Sequence, residues 1–546
     1  MRPATTIIAT DSRDIAFGHA RGREVIGRIF TVGGFTLLSR LTGFARDVVL
    51  AAVLGAGPIA DAFFVAFRIP NHFRAIFAEG AFNAAFVPAY ARIRQQGGAD
   101  PARLFADRIF VLLLISQVVL LAIALAFMPG VVGVLAWGFR QDPGRFALAV
   151  ELTRITFPYL LLISLVTLYG GILNALGRFA TPAAAPILLN LSVILALALV
   201  VFFPSAGHAA AWGVLIAGCL EALLVGGDAW RSGDLPRFRW PRLDHEVMDF
   251  LKRFGPATIG SAETQIALFA DTIIASFFAT GAISALYYAD RLNQLPVGVI
   301  GVAVGTVLLP EMANRIAAGD ERGARHAQNR AVELTLLLSI PCVVAFLLVP
   351  ELIMRGLFGR GAFTPANAQA AAATLAAYAI GLFPFVLLRS VTITFLARGD
   401  TITPVKALAV AVAVNVVLKI LLMDRYAQVG LAFATSIGAW VNFALLIWLA
   451  VRKDLITVDD RLKQSAGKLA LAGIALAGVL LVGERPVAGL FAEWPALRAE
   501  ATLAVLAVIG AVVYFGIVLA LFGKQWLAAL RRRPPPGAPP PPPPLE

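Results

Sequence analysis

Long apolar runs follow one another along almost the whole chain, and they constrain its fold more than any other feature. A membrane-spanning helix needs about 20 consecutive, mostly apolar residues. By this measure the sequence predicts an all-α polytopic membrane protein with about fourteen transmembrane helices, several of them long enough to tilt or protrude. The approximate extents are 27–54, 60–92, 105–128, 148–174, 182–203, 209–228, 250–279, 284–314, 329–350, 368–397, 403–422, 428–451, 466–483 and 500–523.

Charge is scarce and unevenly placed. Only 14% of the residues are charged and 59% are hydrophobic, whereas soluble proteins average about 25% charged residues. The connections after the second, sixth, eighth and twelfth spans are rich in Arg and Lys, and the alternate connections are poorer in these residues. The positive-inside rule therefore predicts that both termini are cytoplasmic and that the number of spans is even. Cys219 and Cys342 lack metal-ligand spacing, so no metal site is predicted.

The two halves of the sequence repeat one another. Four stretches match in the same order, roughly 220–226 residues apart, among them FPYLLLISLVTL from Phe157 and FPFVLLRSVTIT from Phe383. This offset spans six helices, so the halves have the same orientation and form a parallel repeat. Two lobes of this kind usually surround a cavity and work by alternating access, which indicates a transporter.

The spans and the repeat together predict the domain organisation. Six segments are expected: a cytoplasmic N-terminal tail at 1–26, a first lobe with spans 1–6 at 27–228, a cytoplasmic linker at 229–249, a second lobe with spans 7–12 at 250–451, two additional spans at 452–523, and a disordered Pro-rich cytoplasmic tail at 524–546.

Several predicted spans contain ionisable residues, although a charge at the bilayer centre costs about 2.5–3.5 kcal/mol on insertion scales. Arginines outnumber acids in the first lobe, and a dry interface does not keep unpaired guanidinium groups. A cavity that receives an anion does keep them, because guanidinium donors match phosphate oxygens bidentately. The alternative is a set of structural ion pairs, such as Arg40–Asp61 or Arg68–Glu79. The residues concerned include Arg40, Arg46, Asp47, Asp61, Arg68, His72, Arg74, Glu79, Asp271, Asp290, Arg291, Arg389 and Lys419.

Seven motifs between the first and eleventh spans are specific enough to indicate a family. They are SRLTGFARD, DAFFVAFRIPN, IFAEGAFNAAFVP, FPYLLLISL, YYADRL, GVAVGTVLLP and TPVK. In these motifs the chain closely resembles the MurJ (MviN) family, which are flippases of the lipid-linked peptidoglycan precursor lipid II within the multidrug/oligosaccharidyl-lipid/polysaccharide exporter superfamily. The resemblance implies a V-shaped pair of six-helix lobes, with the last two spans forming a groove for the lipid tail.

The same resemblance implies the activity and the residues that carry it. The expected activity moves undecaprenyl-diphosphate-linked disaccharide-pentapeptide from the cytoplasmic to the outer leaflet of the bacterial inner membrane for peptidoglycan synthesis. In this family the arginines are thought to line the cavity and to meet the diphosphate and the sugar-peptide headgroup. Carried over by motif, the substrate-binding residues are Ser39, Arg40, Arg46, Asn71, Arg74 and Arg291, and the gating or charge partners are Asp61, Glu79, Ser284 and Asp290.

The sequence departs from the family in two places. In NHFRAIF, His and Ala flank Arg74, where relatives often carry Leu and a second Arg, so the cavity is expected to be slightly less basic there. Some relatives are thought to bind sodium in the second lobe. Here Lys419 follows Asn415 by one helical turn, and it is predicted to pair with Asp271 in place of a bound cation. No metal or cofactor is expected, and the coupling ion is left open.

Four classes of function are compared. A lipid II flippase agrees with both the charges and the motifs. A cationic cavity disfavours a cation-coupled drug exporter, and the motifs disfavour other flippases of the superfamily. A polytopic enzyme would need acids on substantial extracytoplasmic loops, which are short here. A scaffold for cell-wall synthesis or division proteins stays open as a secondary role. The expected partners are therefore lipid II, the membrane and those proteins, and no nucleic acid.

Overall fold

The computed structural model describes residues 12–74, 81–240 and 242–523. Within these ranges the protein is built of α-helices, with short 3-10 helices at 137–141 and 200–202 and no strands, which confirms the all-α class. The α-helices are α1 Ser12–Leu54, α2 Pro58–Arg74, α3 Ala81–Gly97, α4 Ala99–Ala126, α5 Met128–Leu135, α6 Pro143–Thr156, α7 Tyr159–Ala175, α8 Ala180–Ala198, α9 Ala206–Arg231, α10 His245–Ala275, α11 Ala282–Ala317, α12 Glu321–Leu348, α13 Pro350–Phe358, α14 Pro365–Leu396, α15 Ile402–Arg452, α16 Asp460–Leu490 and α17 Arg498–Phe522.

Each predicted span falls on one or two of these helices. The second span corresponds to α2 and α3, and the fourth to α6 and α7. The helix α15 contains the predicted eleventh and twelfth spans, and its backbone is broken between them at Ala427 (φ 45°, ψ −128°). In the described ranges, ten helical segments are long and apolar enough to cross a membrane. This count takes α6 and α7 together as one segment and α15 as one segment. The total of fourteen spans therefore remains a prediction.

The chain divides into two compact units. The first contains the described residues up to Ser284 together with Arg360–Thr364, and the second contains Ala285–Gly359 and the described residues from Pro365 onwards. In the first unit α10 packs against α3. Phe250 of α10 makes edge-to-face contacts with Phe82 and Phe105, at centroid distances of 5.7 and 6.2 Å. In the second unit α16 packs against α12 and α17. The predicted lobe boundary at 229–249 stays a prediction.

One polar contact recurs at corresponding positions of the two units. In the first unit Arg108 of α4 forms an ion pair with Asp244, the residue that caps the N-terminus of α10. In the second unit Arg330 of α12 forms an ion pair with Asp459, which caps α16, at 2.6 Å. Both aspartates accept a hydrogen bond from the first turn of the helix that follows, which satisfies a donor without an intrahelical partner. The recurrence agrees with the predicted parallel repeat.

A tight backbone contact in the first unit supports a prediction about stability. Gly361 has φ +57°, and a Cβ atom there would lie 2.2 Å from the carbonyl oxygen of Ala52. The next residue, Ala362, donates its N–H to the same oxygen at 2.7 Å. Gly361→Ala is therefore expected to lower the melting temperature of the purified protein, with strain of about 1–3 kcal/mol. The control is Gly227→Ala in α9, where the added Cβ meets nothing within 4 Å. Equal melting temperatures for the two variants would contradict this contact.

A second prediction concerns the connection between α14 and α15. Asp400 accepts hydrogen bonds from Lys453 Nζ (2.8 Å) and from Thr403 N (3.0 Å) and Oγ1 (2.7 Å). These donors, the Lys453 ammonium first, hold the pKa of Asp400 well below its usual range. A carboxyl group whose pKa is lowered by folding stabilises the protein above its unfolded pKa, and this stabilisation is lost as the pH falls through the folded pKa.

Asp400→Asn is therefore expected to reduce the free energy of unfolding at pH 7 by about 0.5 kcal/mol, because solvent reaches both side chains and screens the pair. The difference from the parent should shrink only below about pH 4. Thermal unfolding between pH 3 and 7 measures both effects, with the exposed Asp424 replaced by Asn as the control. A difference that is the same at every pH would show that the Asp400 charge does not contribute.

Candidate functional site

The stretch SRLTGFARD lies within α1, and its two arginines have different surroundings. Arg46 is buried and donates to Asp47 Oδ1 from Nε (3.1 Å) and Nη2 (2.8 Å), and to Asn190 Oδ1 from Nη1 (3.0 Å). The charge of Arg46 is thus balanced by its chain neighbour Asp47. Arg40 is exposed and makes no ion pair with any residue in the described ranges. Contact of Arg46 with a substrate stays a prediction, and it requires these bonds to exchange.

Asn190 of α8 ties this part of α1 in place. Its Nδ2 donates to the carbonyl oxygen of Ser39 (3.0 Å) and to Thr42 Oγ1 (3.1 Å), while its Oδ1 accepts from Arg46. The side chain lies against Gly43, where an added Cβ would be 3.4 Å from Nδ2. Sequence reasoning missed Asn190. The available signal was a single amide inside the apolar run PILLNLSVIL, because a polar side chain in a span is costly unless it is hydrogen-bonded.

Asp61, in the first turn of α2, is fully buried and binds the start of α11. Its Oδ1 accepts hydrogen bonds from Ser284 N (2.9 Å) and Ser284 Oγ (2.6 Å), and its Oδ2 accepts one from Gly281 N (2.7 Å). The structure thus brings together two residues that the family motifs each placed among the gating or charge partners, and that role stays a prediction. The N–H groups in the first turn of a helix lack intrahelical partners, and the helix dipole favours an acid there. Asp61 therefore holds the start of α11 by bonds that can break and re-form.

The charged neighbour of Asp61 is Arg145 of α6. Arg145 Nη1 lies 3.5 Å from Asp61 Oδ2, and the guanidinium carbon lies 4.2 Å from the centroid of the Phe139 ring. The alternative ion pair between Arg40 and Asp61 is therefore wrong. Sequence reasoning missed Arg145 because the contact is non-local and the segment reads as an ordinary helix start. Asp142 caps that start by accepting a hydrogen bond from Arg145 N at 3.1 Å.

The remaining residues predicted on the second span are only partly described. Asn71 is half-buried on α2. Arg74 ends α2, and its side chain lies outside what the structure describes. Glu79 lies outside the described residues, so the alternative pair with Arg68 is untested as well. The roles of these residues stay predictions.

In the second unit Asp290 and Arg291 are neighbours on α11, and both are half-buried. Gln294 Nε2 donates to Asp290 Oδ2 at 2.5 Å. The Arg291 guanidinium lies 4.9 Å from the centroid of the Tyr287 ring, which is within the range of a cation–π contact. Asp290, a predicted charge partner, and Arg291, a predicted substrate-binding residue, are thus adjacent on one helix.

The predicted pairing of Asp271 with Lys419 stays a prediction. Asp271 is half-buried near the end of α10 in the first unit, and Lys419 is almost completely buried in α15 of the second unit. Burial of an ammonium group inside a predicted span marks a residue of functional interest. The expectations about sodium, metals and cofactors likewise stay predictions.

Comparisons with known proteins agree with the motifs. The family model described as "Lipid II flippase MurJ" matches residues 50–494. A "Probable lipid II flippase MurJ" of Rhizobium tropici is 41% identical over 467 residues, which cover 84% of this chain and 87% of the relative. The "Lipid II flippase MurJ" of Burkholderia cenocepacia is 34% identical over 511 residues, covering 89% and 96%.

Solved structures show the same fold. One described as "Lipid II flippase MurJ, inward closed conformation" has a TM-score of 0.75 and 24% identity, and the match covers 92% of this chain and 99% of that one. An inward-facing multidrug resistance MATE transporter of the MOP superfamily has a TM-score of 0.62 and 15% identity, with 78% and 98% covered. Because the family model matches most of the chain and both relatives are more than 30% identical over most of their length, this chain belongs to the MurJ family of multi-pass membrane proteins.

Proposed function

We propose that this protein is a lipid II flippase and not an enzyme, and that it moves the precursor from the cytoplasmic to the outer leaflet by alternating access. The family match over residues 50–494 carries this proposal. The named relatives support the substrate, since they are called lipid II flippases. The charges support the same substrate, because a diphosphate-linked headgroup is an anion that guanidinium groups bind well.

Arg40 is the first residue to meet the diphosphate in this proposal. It is exposed and unpaired within the described ranges, so binding an anion there breaks no existing bond. Arg74 and Arg291 are the further contacts. Arg46 joins them only after exchanging its bonds to Asp47 and Asn190, which makes it a late contact and not an entry contact.

The lipid tail stays in an apolar environment while the headgroup crosses. The helices α16 and α17, which form the predicted tail groove, expose large apolar side chains that water would not solvate well. Examples are Val482, Val508 and Val512, with 75%, 63% and 67% of their surface accessible. In the closed arrangement of the proposed cycle, the start of α11 is held to α2 by the hydrogen bonds that Gly281 and Ser284 donate to Asp61.

The proposed location is the bacterial inner membrane, with both termini in the cytoplasm, as the distribution of basic residues predicts. A ligand shifts a conformational equilibrium only through its different affinity for the two states, so neutralisation of the cavity by the diphosphate would bias the cycle. The membrane potential is a further energy source, worth about 2.3 kcal/mol per charge per 100 mV. Cell-wall synthesis or division proteins remain candidate partners.

The test is complementation of a bacterium depleted of its own lipid II flippase, together with lipid II transport by the purified protein in proteoliposomes. We expect the parent protein to restore growth and to transport lipid II. A protein that inserts well in the membrane but does neither would overturn the proposal. Transport of a different undecaprenyl-diphosphate lipid, with no transport of lipid II, would show that the substrate is another lipid of the same chemistry and not lipid II.

A further inference from the structure

Arg145 is buried without full hydrogen bonding. Only 7% of its surface is accessible, and its Nε and Nη1 atoms make no hydrogen bond within the described part of the chain. Two carboxylates stand just beyond hydrogen-bonding distance: Asp61 Oδ2 at 3.5 Å from Nη1 and Asp142 Oδ2 at 3.7 Å from Nε. Leaving donors of a charged group buried and unsatisfied is costly, so such a group is expected to have a use.

The hydrogen bonds that the two carboxylate oxygens of Asp61 accept indicate a use for Arg145. Three donors at the start of α11 bind the carboxylate: Ser284 N and Oγ on Oδ1, and Gly281 N on Oδ2. A carboxylate oxygen accepts about two hydrogen bonds, so Oδ2 has room for one more. Arg145 Nη1 faces that oxygen and needs to move by only about 0.5 Å to reach the usual N–H···O distance.

Arg145 is itself firmly placed. Its guanidinium lies over the Phe139 ring, in the short helix 137–141. That helix is joined to the end of α10, because Gly138 N donates to Ser276 Oγ at 2.9 Å and a Cβ on Gly138 would lie 2.4 Å from Ser276 O. The arginine therefore lies beside Asp61 on a platform that is anchored to the end of α10.

We propose that Arg145 is a positioning residue that exchanges with the start of α11 for the carboxylate of Asp61. When Gly281 and Ser284 withdraw, Arg145 closes the remaining gap and binds Asp61 directly through Nη1. Without this exchange, withdrawal would leave a buried carboxylate unpaired, which is strongly unfavourable. Arg145 thus stabilises the released state without contacting the substrate. The role rests on the proposed alternating-access function.

The test measures release of the start of α11 directly. Ile283 has only 1% of its surface accessible. In a background with Cys219 and Cys342 replaced by Ser, Ile283→Cys reports release through its rate of labelling by a maleimide in the purified protein. We expect Arg145→Gln to slow labelling about tenfold, because the released state loses charge-assisted hydrogen bonds. The control is Arg154→Gln, an exposed arginine on the same helix, which should leave the rate unchanged.

A merely structural role predicts the opposite result. If Arg145 only supported the bound arrangement, Arg145→Gln would speed labelling, and that outcome would overturn the proposal, as would an unchanged rate. In an Asp61→Asn background the carboxylate is gone, so Arg145→Gln should have no further effect. A slowing of the same size in that background would also contradict the exchange.

Two further variants keep the test decisive if Arg145→Gln does not fold. Arg145→Lys retains the charge but lacks the planar fork, so labelling should be slowed by a smaller factor. Phe139→Leu removes the aromatic platform and should act in the same direction; a faster rate in both variants would overturn the proposal. Labelling needs no lipid II. A parent that fails to transport lipid II but shows these labelling differences would therefore refute the proposed function and leave the exchange standing.

Discussion

Replacing Arg40 by alanine is expected to slow lipid II transport about a hundredfold and to abolish complementation at equal expression. Arg40 is exposed on α1 and unpaired within the described ranges, so it can bind a diphosphate without first breaking a bond to another residue. Loss of two charge-assisted hydrogen bonds, each worth about 1.5 kcal/mol, corresponds to this factor. The measurement is the initial rate of lipid II transport in proteoliposomes, alongside growth of the depleted strain.

The comparison variants separate binding from folding. Arg40→Lys keeps the charge without the bidentate geometry and should retain an intermediate rate. Arg322→Ala removes an exposed arginine at the start of α12 and should behave as the parent. Arg46→Ala should instead lower the melting temperature, because it leaves Asp47 buried beside an empty space where its partner was. A parental rate of lipid II transport by Arg40→Ala would contradict the proposal that Arg40 binds the headgroup.

Asp61→Ala is expected to produce the largest loss of stability of any single substitution considered. It removes the acceptor of three hydrogen bonds at the start of α11 and leaves the buried Arg145 with less counter-charge. Removing one partner of a buried charged pair typically costs about 3–5 kcal/mol. The arrangement seen in this structure should therefore be populated several hundredfold less, and complementation should fail.

A graded series checks the cause. Asp61→Asn keeps one good acceptor and should lie between Asp61→Ala and the parent, whereas Ser284→Ala removes only the hydroxyl bond and should have the mildest effect. The melting temperature and the labelling rate of Ile283→Cys measure the two consequences separately. A melting temperature of Asp61→Ala equal to that of the parent would mean that these contacts do not hold the start of α11.

Much of the candidate site could be anticipated from the chain. The sequence puts Asp47 within reach of Arg46, but adjacent side chains on a helix do not face each other, and the pair forms where packing buries both of them. The family motifs also placed Asp61 and Ser284 among the gating residues, and the structure brings Oδ1 of the first within 2.6 Å of Oγ of the second. The family resemblance, and not periodicity, identified those residues as functional.

Other contacts could not be anticipated, because they join residues that no local pattern relates. Arg145 reaches Asp61 from a different helix, and Asn190 reaches Ser39 and Arg46 across more than a hundred residues. Hydropathy records how much of a helix is apolar but not which helix lies beside it. An ion pair of Asp61 with Arg40 was one alternative that the sequence left open, whereas packing places Arg145 beside Asp61.

The order of apolar runs is sufficient to establish an all-helical membrane protein, because a backbone in lipid must satisfy its hydrogen bonds within each helix. The matching stretches of sequence likewise indicate an internal repeat. The structure has an equivalent ion pair in each unit, Arg108–Asp244 in the first and Arg330–Asp459 in the second. Which of the two arginines on α1 stays exposed and which is buried is decided only by tertiary packing. The reason is that Asn190 of α8 stands beside Arg46 and not beside Arg40.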